Sequence, residues 1–230
     1  MPLTTHEIIA SFGGVEDDQR YLRLVELFAE DAVYYDPFFG PQIGKPAIAE
    51  FMAKMEEVVP ASGARFDQWH ATAGHDCGYA QWVMIAPNAD GVSVTVPGES
   101  LYRLRDGQVL GVVDYVDPVA YAKLRGDAAR PADFVAGLGS LPSANTPVGP
   151  ATAALRDHVA AMGRAGRWTG SAELIDHAGE ETVGWAQWVF HGEHGDFAGW
   201  SLRNPEGHIR DLFDTVTAHD QATASGAVKR

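Results

Sequence analysis

The sequence predicts an α+β fold in which helices pack on an antiparallel sheet, and it predicts two copies of that unit. The first observation is a repeat, since GYAQWV at 78–83 returns as GWAQWV at 184–189. The second is that each of these two sequences lies in a set of four successive β-rich segments, and that a predicted helix precedes each set. A repeat of this extent indicates two copies of one supersecondary unit, the second shorter and degenerate.

The first copy begins with two predicted helices and a short strand. Residues 5–12 form the first helix, and 17–30 the second, because apolar residues recur there at helical spacing. A short strand over 33–36 follows, and Pro37 ends it. The next helix covers 46–58 and ends before Pro60. Four strands come after it, separated by turns: 64–73, 78–86, 92–105 and 108–117.

The second copy keeps the last helix and the four strands. ATAALRDHVAAMG (151–163) resembles PAIAEFMAKMEEV (46–58), and WSLRNPEGHIRDLFDT (200–215) resembles LYRLRDGQVLGVVDY (101–115). The segment between the copies is rich in Pro, Gly, Ser and Ala, which is typical of a linker. We therefore expect a domain at 1–125, a linker at 126–150, a degenerate repeat at 151–220 and a flexible tail at 221–230.

Composition narrows the class of protein. The chain has 230 residues, of which 46% are apolar and 21% charged, as in soluble globular proteins. A net charge of −14 argues against nucleic-acid or anionic-membrane partners, because phosphate binding needs clustered Lys and Arg. The single Cys77 excludes an internal disulfide. Without a signal-peptide pattern or an apolar run of about 18 residues, we expect a soluble cytoplasmic protein.

One segment carries a family resemblance. LVELFAEDAVYYDPFFGPQIGKPAIAEFM (24–52) resembles the NTF2-like superfamily, which includes SnoaL-like cyclases, ketosteroid isomerases and scytalone dehydratase-like enzymes. In that family a helix ending LFAxDA leads into a strand that ends in an acidic residue and Pro. The resemblance covers 5–118 well and 151–217 more weakly. It implies tandem cone-shaped α+β barrels, each a curved antiparallel sheet with packed helices, and a pocket inside the cone.

The resemblance also indicates where chemistry would lie. The base of the ketosteroid isomerases sits at the position of Asp36. Their oxyanion donors do not carry over, since the tyrosine falls near Phe12 and the aspartate near Ser100. The fold hosts isomerases, dehydratases, cyclases, epoxide hydrolases and non-enzymes, so it does not specify the reaction.

Strand alternation assigns further residues to the pocket. A two-residue turn at His75–Asp76 places His70 opposite Gln81. The family alignment turns Tyr79, Gln81 and Val83 inwards, and His70 would then point into the cone as well. The predicted catalytic residues are Asp36, His70, Tyr34 and Asp114, and the predicted substrate-binding residues are Tyr35, Phe38, Phe39, Tyr79, Gln81, Ser100 and Tyr102.

Each of these assignments has a structural alternative. Asp36 before a proline is also a common turn former. His70 could be a structural histidine of a strand. Asp114 could pair with Arg103 or Arg105. If the pocket forms as predicted, burial raises the pKa of a carboxyl group towards neutrality and suits it to acid–base chemistry.

The opposite face of the sheet suggests contacts between the copies. Trp69 and Trp82 are predicted there, and Trp188 repeats Trp82. Our hypothesis is that the copies pack sheet to sheet as an internal pseudo-dimer, with a homo-oligomer left open. The second copy has Asp176 in place of His70 and is expected to lack chemistry. Its HGEHGD lacks a third clear ligand, so no metal site is predicted.

These observations favour a cofactor-independent enzyme. Motifs for nucleotides, nucleophilic serine or zinc are absent from the sequence, so we expect no cofactor and a small aromatic or polycyclic substrate. The leading hypothesis is a lyase, resembling diarylpropane lyases that release formaldehyde from a lignin-derived diol to give a stilbene. An isomerase, cyclase, dehydratase or epoxide hydrolase is the alternative. The epoxide hydrolases that this fold resembles need an Asp-Arg-Asp arrangement, whereas strand alternation predicts that Arg103 and Arg105 point out of the cone. A non-catalytic small-molecule-binding module is the third possibility.

Overall fold

The computed structural model describes residues 3–13, 20–125, 148–166, 170–179, 181–192 and 195–213. The chain divides into two compact units, Met1–Phe134 (unit 1) and Val135–Arg230 (unit 2). Most of the predicted linker and all of the predicted tail lie outside the described residues.

Unit 1 begins with two short helices. Helix α1 (Thr5–Ser11) starts with a capping box, in which the Thr4 side chain and Glu7 satisfy each other's backbone N–H groups. Helix α2 (Arg20–Leu24) continues as one 3₁₀ turn, and strand β1 (Phe28–Asp36) follows at once. The predicted helix over 17–30 is therefore too long, because Phe28 already pairs with a neighbouring strand.

The sheet of unit 1 is mixed rather than antiparallel. It consists of β1, β2 (Gly40–Ile43), β3 (Arg65–Ala73), β4 (Cys77–Pro87), β5 (Ser93–Arg105) and β6 (Gln108–Val116), in the order β2-β1-β6-β5-β4-β3. Every pair is antiparallel except β1–β6, which is parallel. The long connection between β1 and β6 permits the parallel pairing, which hairpin patterns do not reveal.

Two more helices complete unit 1. Helix α3 (Lys45–Ala61) buries Ile48, Phe51 and Met52, and the first and last of these are almost fully inaccessible. It runs past Pro60, where the prediction ended it, because a proline in the last turn removes only one ladder bond. Helix α4 (Pro118–Arg125) is an element that the sequence analysis missed. None of the described helices is long and apolar enough to cross a membrane.

Unit 2 has the same helix-then-sheet order as the second half of unit 1. Helix α5 (Pro150–Arg164) precedes a four-stranded sheet whose strand order is β10-β9-β8-β7. The first strand of each set carries a register shift at the same place, between Gln68 and His70 and between Leu174 and Asp176. The four antiparallel strands are β7 (Ser171–Ala178), β8 (Gly184–Gly192), β9 (Gly195–Arg203) and β10 (Ile209–Phe213).

The two repeated tryptophans lie on the helix-facing side of their sheets. The ring of Trp82 covers Gly98, where an added Cβ would come within 2.3 Å of it. Trp188 belongs to the buried cluster that packs on Leu155 and Val159 of α5. The prediction that both rings face outwards is wrong, and they do not support the proposed sheet-to-sheet packing. The side chain of Trp69 lies outside the described residues.

Candidate functional site

Unit 1 contains a cavity of about 500 Å³ on the helix-facing side of its sheet. A cavity of this volume suits a ligand of drug-like size. Rings form much of its wall: Phe12, Tyr21, Phe38, Phe39, Phe51, Phe66, Trp82 and Tyr121. Such a wall favours flat, apolar ligands.

Strand β1 supplies two polar groups to this cavity. Tyr34 and Asp36 are two residues apart, so they share the face that Tyr35 does not. Asp36 Oδ1 accepts hydrogen bonds from the backbone N–H groups of Phe38 (2.7 Å) and Phe39 (3.0 Å). This carboxylate therefore does form a turn, as the structural alternative held, but it does so through one oxygen only. Its Oδ2 accepts no hydrogen bond from any described residue.

Asp114 lies at the centre of a hydrogen-bond network in the same cavity. Ser100 is directly opposite it on β5 and donates from Oγ to Oδ1 at 2.5 Å. The Tyr34 hydroxyl donates to Oδ2, also at 2.5 Å, and the Trp82 indole N–H donates to Ser100 Oγ at 2.8 Å. An ion pair between Asp114 and Arg105 is excluded, since Arg105 binds Asp31.

Burial raises the pKa values of Asp114, Asp36 and Tyr34. Burial, followed by the charge of Asp36, raises the pKa of Asp114 to about 7, although the Ser100 and Tyr34 hydroxyls act in the opposite direction. Burial also raises the pKa of Asp36, against the two backbone N–H groups that it accepts. The pKa of Tyr34 is raised well above its ordinary value, chiefly by burial. The phenol thus stays protonated and donates, while the Asp114 carboxyl group can exchange a proton near neutrality.

The prediction that His70 points into the cavity is wrong. His70 pairs with Gln81 as the turn arithmetic predicted, but that pair lies on the face opposite Trp82. The imidazole is exposed, and its Nε2 lies 2.9 Å from Thr72 Oγ1. It is separated from Asp36 by the sheet.

Three predicted substrate-binding residues lie outside the cavity for the same reason, so the prediction that they face it is wrong. Tyr79 and Gln81 alternate with Ala80 and Trp82 on β4, and the second pair faces the helices. Tyr35 is almost fully buried, but on the other face from its neighbours on β1. The predicted residues that do line the cavity are Tyr34, Asp36, Phe38, Phe39, Ser100, Tyr102 and Asp114, and their roles in binding or catalysis stay predictions.

The entrance side of the site depends on residues that sequence reasoning missed. Phe38 stacks on Tyr121 of α4 with ring centroids 3.8 Å apart and planes 18° apart. Phe39 meets Phe51 edge to face at 5.5 Å, and the Lys54 ammonium lies 4.5 Å from the Phe39 ring centroid. The turn after β1 is thereby fixed against α3 and α4. The sequence contained no strong signal for α4, because its amphipathic pattern is weak.

Unit 2 holds a related polar cluster, and whether unit 2 lacks chemistry stays a prediction. Ser201 Oγ donates to Asp211 Oδ1 at 2.6 Å, and His158 Nε2 lies 2.8 Å from Asp211 Oδ2. Ser201 and Asp211 are directly opposite each other, as Ser100 and Asp114 are. Across the residues described in both units, no group of three His, Cys, Asp or Glu side chains could hold a metal ion.

Solved structures show similarity to part of the chain. A ketosteroid isomerase-like-fold protein of Catenulispora acidiphila, crystallised with trimethylamine, is 22% identical over 54% of this chain and 95% of its own, with a TM-score of 0.43. An NTF2-like protein of Mesorhizobium loti is 27% identical over 49% and 89%, with a TM-score of 0.40. TerC, co-crystallised with polyporic acid, is 22% identical over 51% and 93%, with a TM-score of 0.42. No curated protein matches the chain significantly.

A family model identifies the N-terminal unit directly. The SnoaL-like domain model matches residues 14–112, so the match ends within β6. The NTF2-like α+β arrangement, with helices on a curved mixed sheet, agrees with this match. The N-terminal unit of this chain is a SnoaL-like domain.

Proposed function

We propose that the SnoaL-like domain is a cofactor-independent enzyme that transfers protons on a hydroxylated aromatic or polycyclic small molecule. The observation that carries the proposal is the pair of carboxyl groups, Asp36 and Asp114, whose pKa values are both raised inside an aromatic cavity of about 500 Å³. Titratable groups perturbed by burial in a concave, apolar site are typical of acid–base catalysts.

Asp36 is the proposed base. Two backbone N–H groups hold its Oδ1 and fix the carboxylate plane, so Oδ2 is left to face the ligand. Burial raises the pKa of Asp36 and thereby strengthens it as a base relative to a solvated aspartate. Its fixed orientation removes the entropy cost of positioning the base.

Asp114 is the proposed partner that returns or accepts a second proton. With a pKa of about 7, this carboxyl group populates both protonation states at neutral pH. Ser100 and Tyr34 hold its two oxygens, so it is rigidly placed. A base and a nearby acid in one apolar cavity can take a proton at one position and return it at another. That sequence is the chemistry of isomerisation and of intramolecular ring closure, reactions found among SnoaL-like enzymes.

A lyase reaction is the second candidate, and the two aromatic walls favour it. Phe38 and Tyr121 form one wall, and Phe12 stands 5.0 Å from Tyr102 in another. A diarylpropane diol would place one ring at each. Loss of the phenol proton and departure of the α-hydroxyl, together one water molecule, first convert the diol into a quinone methide. Since His70 lies outside the cavity, Asp36 would then take the proton of its γ-hydroxyl. The carbon–carbon bond then breaks, its electron pair restores the aromatic phenol, and formaldehyde leaves with a stilbene as product.

The test compares Asp36→Asn with His70→Ala. Turnover is assayed with diaryl diols and polycyclic phenols through the ultraviolet absorbance of a conjugated product. We expect Asp36→Asn to lower kcat by about 10²- to 10⁴-fold, the usual contribution of a general base. His70→Ala serves as the control and should stay within about 2-fold.

Quenching of tryptophan fluorescence separates the enzyme from a binding module. Trp82 lines the cavity and reports occupancy, and the Asp36→Asn protein should still bind ligand. Saturable binding by the wild-type protein with no turnover of any compound would favour the module. Unchanged kcat in Asp36→Asn would contradict the assignment of the base.

A further inference from the structure

Proton removal from a conjugated substrate creates negative charge on an oxygen, and the cavity must stabilise it. In this cavity the hydroxyls of Tyr34 and Ser100 already donate to Asp114. The oxyanion donors that the isomerase resemblance would supply are replaced by Phe12 and Ser100 in this sequence. A different donor is therefore required if the proposed reaction takes place.

Arg20, at the start of α2, lies in the cavity wall. Its Nη2 donates to the backbone carbonyl of Phe12 at 2.6 Å, and Phe12 is the C-cap of α1. A guanidinium group is permanently charged, and the C-terminus of a helix favours a cation. The Phe12 carbonyl thus holds one edge of the guanidinium in a fixed position.

The Nε of Arg20 is buried, and no described residue accepts its hydrogen bond. A buried N–H of a charged group without an acceptor costs more than an ordinary unmade hydrogen bond. The adjacent ring of Tyr21, 5.4 Å from the guanidinium carbon, offers a cation–π contact but no oxygen. The described hydrogen bonds therefore compensate the guanidinium charge only in part, and this charge acts on the cavity that the side chain lines.

The pKa of Tyr102 responds to the charge of Arg20 and to that of Asp114. The pKa of Tyr102 is raised above its ordinary value by burial and by Asp114, and the charge of Arg20 opposes the rise. Arg20, Tyr102 and Asp114 all line the same cavity. A planar conjugated substrate could reach Arg20 with an oxygen while another of its atoms approaches the carboxyl groups.

We propose that the guanidinium charge of Arg20 stabilises the oxygen of the substrate that gains negative charge when Asp36 removes a proton. This inference rests on the proposed function and narrows its substrates to aromatic compounds with a carbonyl or hydroxyl oxygen conjugated to the acidic position. In the step itself the base takes the proton, the electron pair of the broken bond moves into the conjugated system, and the oxygen becomes an enolate or phenolate. Asp114 or Asp36 later returns the proton.

A bound phenol measures this role without any turnover. 2-Naphthol reports its own ionisation by absorbance, so its apparent pKa in the cavity can be titrated in each variant. Loss of a neighbouring cation favours the neutral phenol. We expect Arg20→Gln to raise the apparent pKa of bound 2-naphthol by about one unit, a 10-fold change in its ionisation constant. Arg20→Lys should recover part of the shift, because it keeps the charge.

Arg125→Gln is the matched control, since Arg125 also lines the cavity but is exposed. It should leave the apparent pKa of 2-naphthol unchanged. If Arg20→Gln and wild-type protein ionise the phenol equally, the inference is wrong, and it is wrong too if 2-naphthol does not bind at millimolar concentration. Loss of turnover in Asp36→Asn would still support the proposed function in either case, so the two failures are distinguishable.

Discussion

The two units share a framework but differ in what is added to it. Each has a helix followed by four antiparallel strands, and each places a serine opposite an aspartate on the helix-facing side. In unit 1 a parallel strand, β1, lies beside β6 and carries Tyr34 and Asp36 into the cavity. The described part of unit 2 has no such strand, and His158 of the helix contacts its aspartate instead.

This difference indicates that the framework common to both units provides a hydrogen-bonded Ser–Asp pair, while the proposed chemistry depends on β1. Asp36 needs the turn after β1 to hold its Oδ1 and the neighbouring sheet to bury it. A Ser–Asp pair alone has neither a second carboxyl group nor a phenol beside it. The proposed acid–base site therefore requires the extra strand.

The first expected effect distinguishes Asp114 from Asp211, the two aspartates that lie opposite a serine. Asp114→Asn should lower kcat by about 10²-fold, because an amide can hold the Tyr34 hydroxyl but cannot accept or return a proton. Asp211→Asn, the matched variant in unit 2, should leave kcat unchanged. The measurement is steady-state kinetics on whichever compound the wild-type protein turns over. Equal losses in both variants would show that unit 2 takes part in the reaction.

The next effect concerns stability. The pKa of Asp114 is about 7 in the folded protein and near its ordinary 3.8 in the unfolded chain, so the folded state binds the proton more tightly. The contribution of protonated Asp114 to the stability of the folded state is complete below about pH 4 and is lost as pH rises through about 7. At about 1.4 kcal/mol per pKa unit, the free energy of unfolding should fall by up to about 4 kcal/mol over this range.

Urea unfolding at several pH values measures this slope, the change in the free energy of unfolding with pH. Asp114→Asn should remove the part of the slope that Asp114 contributes, leaving the smaller part due to the raised pKa of Asp36. Asp211→Asn keeps Asp114 and should keep its slope. An identical pH dependence in the wild-type protein and Asp114→Asn would mean that Asp114 is not buried as a proton-binding group.

Much of the framework could be predicted from the sequence because its signals are local. The hairpin strands and the register of His70 with Gln81 follow from alternation and turn residues. The parallel pairing of β1 with β6 and helix α4 could not be predicted in this way. They depend on contacts between segments far apart in the chain.

The site was predicted in part, and its errors have one origin. The predicted register of β3 with β4 is correct from His70 to the turn but not beyond the register shift, where Gln68 rather than Trp69 pairs with Trp82, and it is combined with an incorrect choice of face. The pairing of β4 with β5 settles the choice, since Ser100 lies opposite Ala80 and so shares a face with Trp82 rather than Gln81. A single register argument across that hairpin would have excluded His70 and found Trp82.

The smallest effect compares the two tryptophans that this argument relocates. The Trp82 indole N–H donates to Ser100, whereas the buried N–H of Trp188 has no hydrogen-bond partner among the described residues. Double-mutant cycles of Trp82→Phe with Ser100→Ala, and of Trp188→Phe with Ser201→Ala, cancel the packing lost in each single variant. We expect a coupling energy of about 1 kcal/mol in unit 1, the net value of one hydrogen bond, and a coupling near zero in unit 2. Chemical denaturation measures both. Equal couplings would mean that the Ser–Asp pairs of the two units are held alike, and that only β1 distinguishes the units.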